Sequence, residues 1–270
     1  MQRHPHVNRT HELSLLDQVL APDADQTIFL IQAQSGYGKT LLLGEFQARI
    51  EARSYPLAVV DFNPGGMDPM GVLALCCQQW GNRHFPRFQA MRAQMAQPQV
   101  NVDVNRVAQF GRSNLEVTVS GDLNQRRLQA QQMTEVWLQD VEAWLGPDQV
   151  AVLVVDTYNL AGTAQRPATV DPELRTWVES YLLTELRSVP GLRLILAGQQ
   201  IPDPNAVWER RCHRHELGPI PDPSEWMPLV HQLGGALSLE VVSSHCHVAQ
   251  GHPFQIATRL SMLCTSWSVP

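Results

Sequence analysis

No apolar run in this chain is long enough to cross a bilayer. The longest, VAVLVV and LRLILA, have the length of buried strands. The opening MQRHPHVNRTHEL lacks the apolar core of a signal peptide. Cysteines are few. There are five, an odd number, with Cys76 and Cys77 adjacent and no regular spacing. That argues against a disulfide framework and for a reducing compartment, so the expected location is cytoplasmic, with no membrane association. Positive charge is not in excess. The 20 Lys and Arg face 26 Asp and Glu, a net charge of −6, which makes a nucleic-acid partner unlikely on composition. Repeats and low-complexity tracts are also lacking. What remains is 270 residues, enough for one large α/β domain with a small appendage and a core that needs no metal or disulfide.

The order of elements follows from periodicity. RTHELSLLDQVL carries a helical stripe of Leu13, Leu15, Leu16, Val19 and Leu20, with Thr10 as the expected cap. TIFLIQA predicts a buried strand, SGYG breaks it, and KTLLLGEFQARIEAR predicts a helix. PLAVVDFNP predicts a second buried strand. DPMGVLALCCQQW predicts a helix opened by Asp68 and Pro69. Residues 98–121 have no clear period and are expected to form a mobile insertion. A long helix from LNQRRLQ to EAWL, the strand VAVLVVDT, the helix DPELRTWVESYLLTELRSV and the strand GLRLILAGQQ follow. RHELGPI predicts a short fifth strand, and helices alone follow from about residue 224. Alternating strands and helices, with apolar strands lacking alternation, imply a parallel sheet covered on both faces. The expected fold is therefore an α/β P-loop NTPase sheet with a small C-terminal helical lid. The core is placed at 1–218, with the insertion at about 98–121, and the lid at 219–270.

QAQSGYGKT, residues 32–40, lies between the first strand and the next helix, the context a phosphate loop requires. Such a loop turns backbone N–H groups towards phosphate oxygens at a helix N-terminus. Gly36 and Gly38, flanking Tyr37, allow close backbone approach. Lys39 reaches the β and γ phosphates and Thr40 places its hydroxyl on Mg²⁺. The first glycine of the pattern is replaced by Ala33, which is harmless at negative φ and strained at positive φ. Asp156, ending VAVLVVD, is the expected second metal ligand. The next residue is Thr157, which is no general base at neutral pH. Asp61 and Asp68, after the second strand, are the other carboxylates available. Hydrolysis is expected to be slow or absent, and no catalytic residue is assigned.

Several motifs stand in one order along the chain. VNRTHELSLLDQVL precedes the loop, SGYGKT and VLVVDT follow, then LRLILAG, then GHPFQIATRL with Gly251, His252 and Pro253. In this order the chain resembles the STAND class of signal-transduction ATPases within the AAA+-like P-loop group, in a short bacterial form with partly eroded motifs. The resemblance implies ATP or ADP with Mg²⁺ as cofactors. It implies that Val7 to Arg9 border the adenine, that Gln199 sits near the γ phosphate where many relatives carry arginine, and that Pro253 closes over the nucleotide. It implies separately encoded protein partners, effector or signalling components of a defence system, with self-association possible. No winged-helix domain, repeat array or effector domain is recognisable. The rival readings are a scaffold that has lost nucleotide binding and a genuine ATPase or phosphotransferase; at most a weak ATPase is expected.

Three other groupings are less specific. CHRH (Cys212, His213, His215) and HCH (His245, Cys246, His247) offer metal ligands at poor spacing. RHFPRFQAMRAQM interleaves arginines and aromatics, but the acidic chain and the lack of a longer basic stripe favour a partly exposed helix over a nucleic-acid surface. The seven tryptophans, Trp267 among them near the apolar end, suit helix packing.

Overall fold

The computed structural model describes residues 9–63, 67–95, 123–159 and 170–266. The expected insertion at 98–121, Val7, Asn8 and Trp267 lie outside these residues. Among the described residues five strands form one sheet: β1 (Ile28–Gln32), β2 (Leu57–Asp61), β3 (Ala151–Asp156), β4 (Leu192–Gly198) and β5 (Cys212–Glu216). Their order is β2-β3-β4-β1-β5, and every pairing is parallel. The helices before β3 are α1 (Thr10–Val19), α2 (Lys39–Ala52), α3 (Pro69–Trp80), α4 (Pro86–Met95) and α5 (Leu123–Trp144). Helix α6 begins as Pro172–Trp177 and continues through a π-helical stretch, Val178–Leu182, to Leu183–Glu185 and a 3-10 turn, Leu186–Ser188. After β5 come α7 (Met227–Gln232), α8 (Leu239–Val248) and α9 (Pro253–Ser266).

Alternate residues of the central strands feed two cores, which is why β1, β3 and β4 read as unbroken apolar runs. Ile28, Leu30, Leu153 and Leu194 face a core built with residues of α3, α4, α5 and α6. Phe29, Ile31, Val152 and Ile195 face one built with α1 and α2. The expectation of a buried second strand holds only in part. β2 lies at the sheet's border, alternates between half-buried and buried positions and ends on the exposed Asp61. There the Val59 N–H donates to Gln79 Oε1 at 2.9 Å, and Gln79 Nε2 donates to the Val59 carbonyl at 2.8 Å.

Helix starts follow local chemistry. Asp68 accepts the Gly71 N–H at 2.7 Å and Asp171 accepts the Leu174 N–H at 2.7 Å. Both are followed by proline in the first turn, as their sequences predict. Thr10 is not a cap, contrary to expectation. Arg9 takes that position without a side-chain capping bond, and Thr10 is already helical. The RHFPRFQAMRAQM segment forms α4 and the turn before it, burying Phe85 and Phe88 while Arg83, Arg87 and Arg92 stay exposed. Trp80 stacks on Trp137 with ring centroids 5.7 Å apart, so these tryptophans are core.

Arg193 interrupts the apolar run of β4 and is fully buried. Its acceptors are all backbone carbonyls. Nε donates to Val19 at 2.7 Å, Nη2 to Ala21 at 2.7 Å and Pro22 at 3.2 Å, and Nη1 to Pro190. The guanidinium thus holds the C-terminal end of α1 and the turn after it against the sheet.

Cys76, Cys77, Cys246 and Cys264 are buried and Cys212 is partly so, and none of them forms a disulfide. Burial pushes the Cys77 and Cys212 thiols up to about 12. At pH 8 that cuts the thiolate fraction on the order of 10³-fold relative to an ordinary thiol. Native protein is therefore expected to react with a chromogenic disulfide reagent on a timescale of hours, and all five thiols within minutes after denaturation. A rapid native phase of one equivalent would contradict the burial described.

The C-terminal helices carry their own core, including Trp226, Leu229, Val242, Ile256 and Leu260. Trp226 Nε1 donates to the Ile220 carbonyl at 3.1 Å, fixing the chain where it leaves the sheet.

Candidate functional site

The C-terminal ends of β1, β2, β3 and β4 meet the loop between β1 and α2. Gly36 and Gly38 have φ of 86° and 83°, a region that strains any residue with a Cβ. Gly38 is the N-cap of α2 and has no side chain to accept the first-turn N–H groups of the helix. A Cβ on Gly38 would meet no atom within 4 Å, so this glycine answers to dihedral angle and leaves open space over the loop. A Cβ on Gly36 would come within 2.6 Å of His252 Cε1, so this glycine also answers to a close neighbour. Ala33 is buried and is not among the residues with positive φ. Its departure from the glycine pattern therefore puts no strain into the loop.

Lys39 and Thr40 are the first two residues of α2. Lys39 is also the only lysine in the chain, a feature that pattern reading passed over. Asp156 ends β3, in register with Asp61 at the end of β2. Burial raises the Asp156 carboxyl above the usual carboxylate range. The Thr157 N–H and the charge of Lys39 oppose that, and the charge of Asp61 adds to it. Thr157 donates its N–H to Asp156 Oδ1 at 2.6 Å. Its φ is 61°, a left-handed value that is rare for a β-branched residue and costs about 1–2 kcal/mol.

Arg9 approaches the loop from the other side. Its Nη2 donates to the Tyr37 carbonyl at 3.1 Å and to the Gly218 carbonyl at 3.3 Å, while Nη1 pairs with Glu12 at 3.0 Å. His215 Nε2 lies 3.3 Å from the same Glu12 carboxylate. Gln199 follows β4. Its backbone N–H donates to Asn159 Oδ1 at 2.8 Å, and its carbonyl accepts from Gln32 Nε2 at 3.1 Å.

The C-terminal helices close the loop from above. The Phe254 N–H donates to the Gly36 carbonyl at 3.1 Å, and the His252 ring meets the Tyr37 ring edge-on, centroids 5.0 Å apart. Gly251 has φ of 72°, and a Cβ there would come within 2.9 Å of Pro219 Cβ and 3.1 Å of Pro221 N. The tripeptide thus has a local reason. Glycine lets α8 end against the connector, and Pro253 starts α9.

Between these parts lies a cavity of about 950 Å³, within the range that holds ligands of nucleotide size. Gly36, Tyr37, Gly38, Lys39, Thr40, Arg9, Gln199, Pro253 and Asp156, the residues singled out in the sequence, all line it. So do residues that sequence reading did not name as lining. Leu13, Leu41, Ile220 and Leu229 add apolar lining, and Glu45, Asn63 and Asn159 add polar groups. Asp68 is not among the lining residues. The open glycine loop, the helix N-terminus and Lys39 fit a phosphate group. The oxygen donors of Thr40 and Asp156 fit a hard divalent cation that keeps several waters. Among the described residues no three His, Cys, Asp or Glu side chains gather to hold a metal ion. Cys212, His213 and His215 lie along β5, whereas His245, Cys246 and His247 lie on α8. Among the described residues no helix is long and apolar enough to cross a membrane.

No family model and no curated protein matches the chain. Solved structures do. AMPPCP-bound DnaA from Aquifex aeolicus is similar at 12% identity and a TM-score of 0.47, over 95% of this chain and 61% of that one. Cdc6p from Pyrobaculum aerophilum is similar at 11% identity and a TM-score of 0.49, over 97% and 62%. The HORMA:CdnC:Trip13 complex of E. coli MS115-1 is similar at 12% identity and a TM-score of 0.41, over 89% and 64%. This chain thus spans less than two thirds of the length of each. The parallel sheet in the order β2-β3-β4-β1-β5, with helices on both faces and the glycine loop between β1 and α2, is an α/β fold.

Proposed function

We propose that this chain is a nucleotide-gated switch of the STAND kind. In this reading ATP or ADP with Mg²⁺ sits between an α/β core, residues 1–218, and a helical lid, residues 219–270, and sets the angle between them. The supporting observation is the cavity itself, lined from the sheet side by Gly38, Lys39 and Asp156 and from the helical side by Ile220, Leu229 and Pro253. Gly36, Tyr37 and Gly38 cradle phosphate with their backbone. Lys39 neutralises the β and γ phosphates. Thr40 and Asp156 hold Mg²⁺, which when bound withdraws charge from the phosphate oxygens. Arg9 and Pro253 border the base and ribose, and Gln199 faces the terminal phosphate.

Because the lid touches the Gly36 carbonyl directly, a ligand that reshapes the loop also changes what the lid rests on. A switch of this kind depends on unequal affinity for ATP and ADP in its two states. Its output is contact with separately encoded protein partners, effector or signalling components of a defence system in the cytoplasm. Hydrolysis is slow, since Thr157 follows Asp156 where a carboxylate would serve the water.

The single lysine makes the test direct. Mg-ATP is expected to bind nucleotide-stripped protein and to shield Lys39 from an amine-reactive label, whose site is read by mass spectrometry. Lys39→Ala is expected to weaken binding at least ~100-fold, about 2.7 kcal/mol. Absence of binding up to millimolar Mg-ATP and Mg-ADP would end this reading.

A further inference from the structure

A bound nucleoside triphosphate would still need something to orient an attacking water. We propose that Asp61 is that group: its carboxylate orients the water that attacks the γ phosphate. This inference rests on the nucleotide-binding reading above and adds a residue to it.

The assignment follows from position. Among the described residues, the carboxylates lining the cavity are Glu45, Asp61 and Asp156. Asp156 is largely buried, accepts the Thr157 N–H and lies near the charge of Lys39, which suits the metal side of the site. Glu45 lies more than one helical turn beyond Thr40 along α2. Asp61 is the last residue of β2 and the register partner of Asp156, which places the two Cα atoms about 5 Å apart on neighbouring strands. Its side chain is exposed, so water reaches it. It is also held, because its Oδ1 accepts the Asn63 N–H at 2.8 Å. The other acidic group after β2, Asp68, caps α3 through the Gly71 N–H and stays out of the cavity. Thr157 offers no carboxylate, and its N–H is turned back onto Asp156.

The step is a simple displacement. The water oxygen bonds to the γ phosphorus while the bond from that phosphorus to the β,γ-bridging oxygen breaks. The bridging oxygen leaves with the nucleoside diphosphate. The water proton passes by way of the Asp61 carboxylate to the inorganic phosphate formed. No redox partner is needed.

The test compares the full chain with its Asp61→Asn form in three measurements: Mg-ATP affinity by calorimetry, single-turnover hydrolysis, and trapping of Mg-ADP by aluminium fluoride, which mimics the γ phosphate under attack. The expected result for Asp61→Asn is affinity within twofold of the parent, hydrolysis slowed at least ~10-fold, and no stable aluminium fluoride complex. Unchanged hydrolysis or unchanged trapping overturns the proposal. So does a fall in affinity parallel to the fall in rate, which would make Asp61 a ligand-binding or structural group. If the parent binds Mg-ATP but neither hydrolyses it nor traps the mimic, the role of Asp61 is wrong and the switch stands. If the parent binds no nucleotide, both fall together.

Discussion

Arg193→Ala is expected to lower stability by about 3–5 kcal/mol, seen as a fall of roughly 10 °C in the thermal midpoint. The substitution removes donors from the carbonyls of Val19, Ala21, Pro22 and Pro190, and it does so where water does not reach. An unmade hydrogen bond in such a place costs more than a made one contributes. Arg193→Lys should recover only part of the loss, because an ammonium is a point charge and cannot reach so many acceptors at once. A loss below ~1 kcal/mol on thermal melting of the alanine variant would show that α1 does not depend on this anchor.

Gly198→Ala is the second large effect. A Cβ at this position would lie 1.8 Å from the Tyr158 carbonyl oxygen and 2.7 Å from its carbon, both backbone atoms. Gly198 is not at positive φ, so the cost is space rather than dihedral angle. The exit of β3 would have to move, at about 3 kcal/mol. That exit also carries Thr157 and Asn159, and Asn159 holds the Gln199 N–H. Weaker Mg-ATP binding, at least ~10-fold, is expected alongside the loss of stability. Gly44→Ala is the control. A Cβ there meets nothing within 4 Å on the exposed face of α2, and the change should stabilise by about 0.5–1 kcal/mol. Equal behaviour of the two variants in denaturant titrations would refute the contact described.

Much of this architecture is written in short-range pattern. Apolar runs ended by Gly36, Asp156 and Gly198 mark the strands whose C-terminal ends build the site, because a strand buried on both faces needs no alternation. Asp68-Pro69 and Asp171-Pro172 mark helix starts because cap chemistry is local. The features that escaped are the ones set by distant partners. Arg193 is an arginine in an apolar run until the carbonyls 171 to 174 residues earlier come into view. Gly198 ends a strand like any glycine until Tyr158 lies against it. Thr10 suited a cap by type, but the helix starts one residue sooner than its side chain requires. β2 is apolar enough for a central strand, and only the order of pairing puts it at the border. At the site, the loop and Asp156 were legible as motifs. The hold of Arg9 on the Tyr37 and Gly218 carbonyls was not, because backbone acceptors leave no trace in sequence.

The contact between Gln79 and β2 bears on how this protein meets its own copies. A border strand offers peptide groups that can template a foreign strand, the first step of edge-to-edge polymerisation. At Val59 both groups are already taken by one side-chain amide, which imitates the missing neighbour and is too short to continue it. The sheet is sealed at the middle of that flank, so a growing stack of chains finds no starting point there.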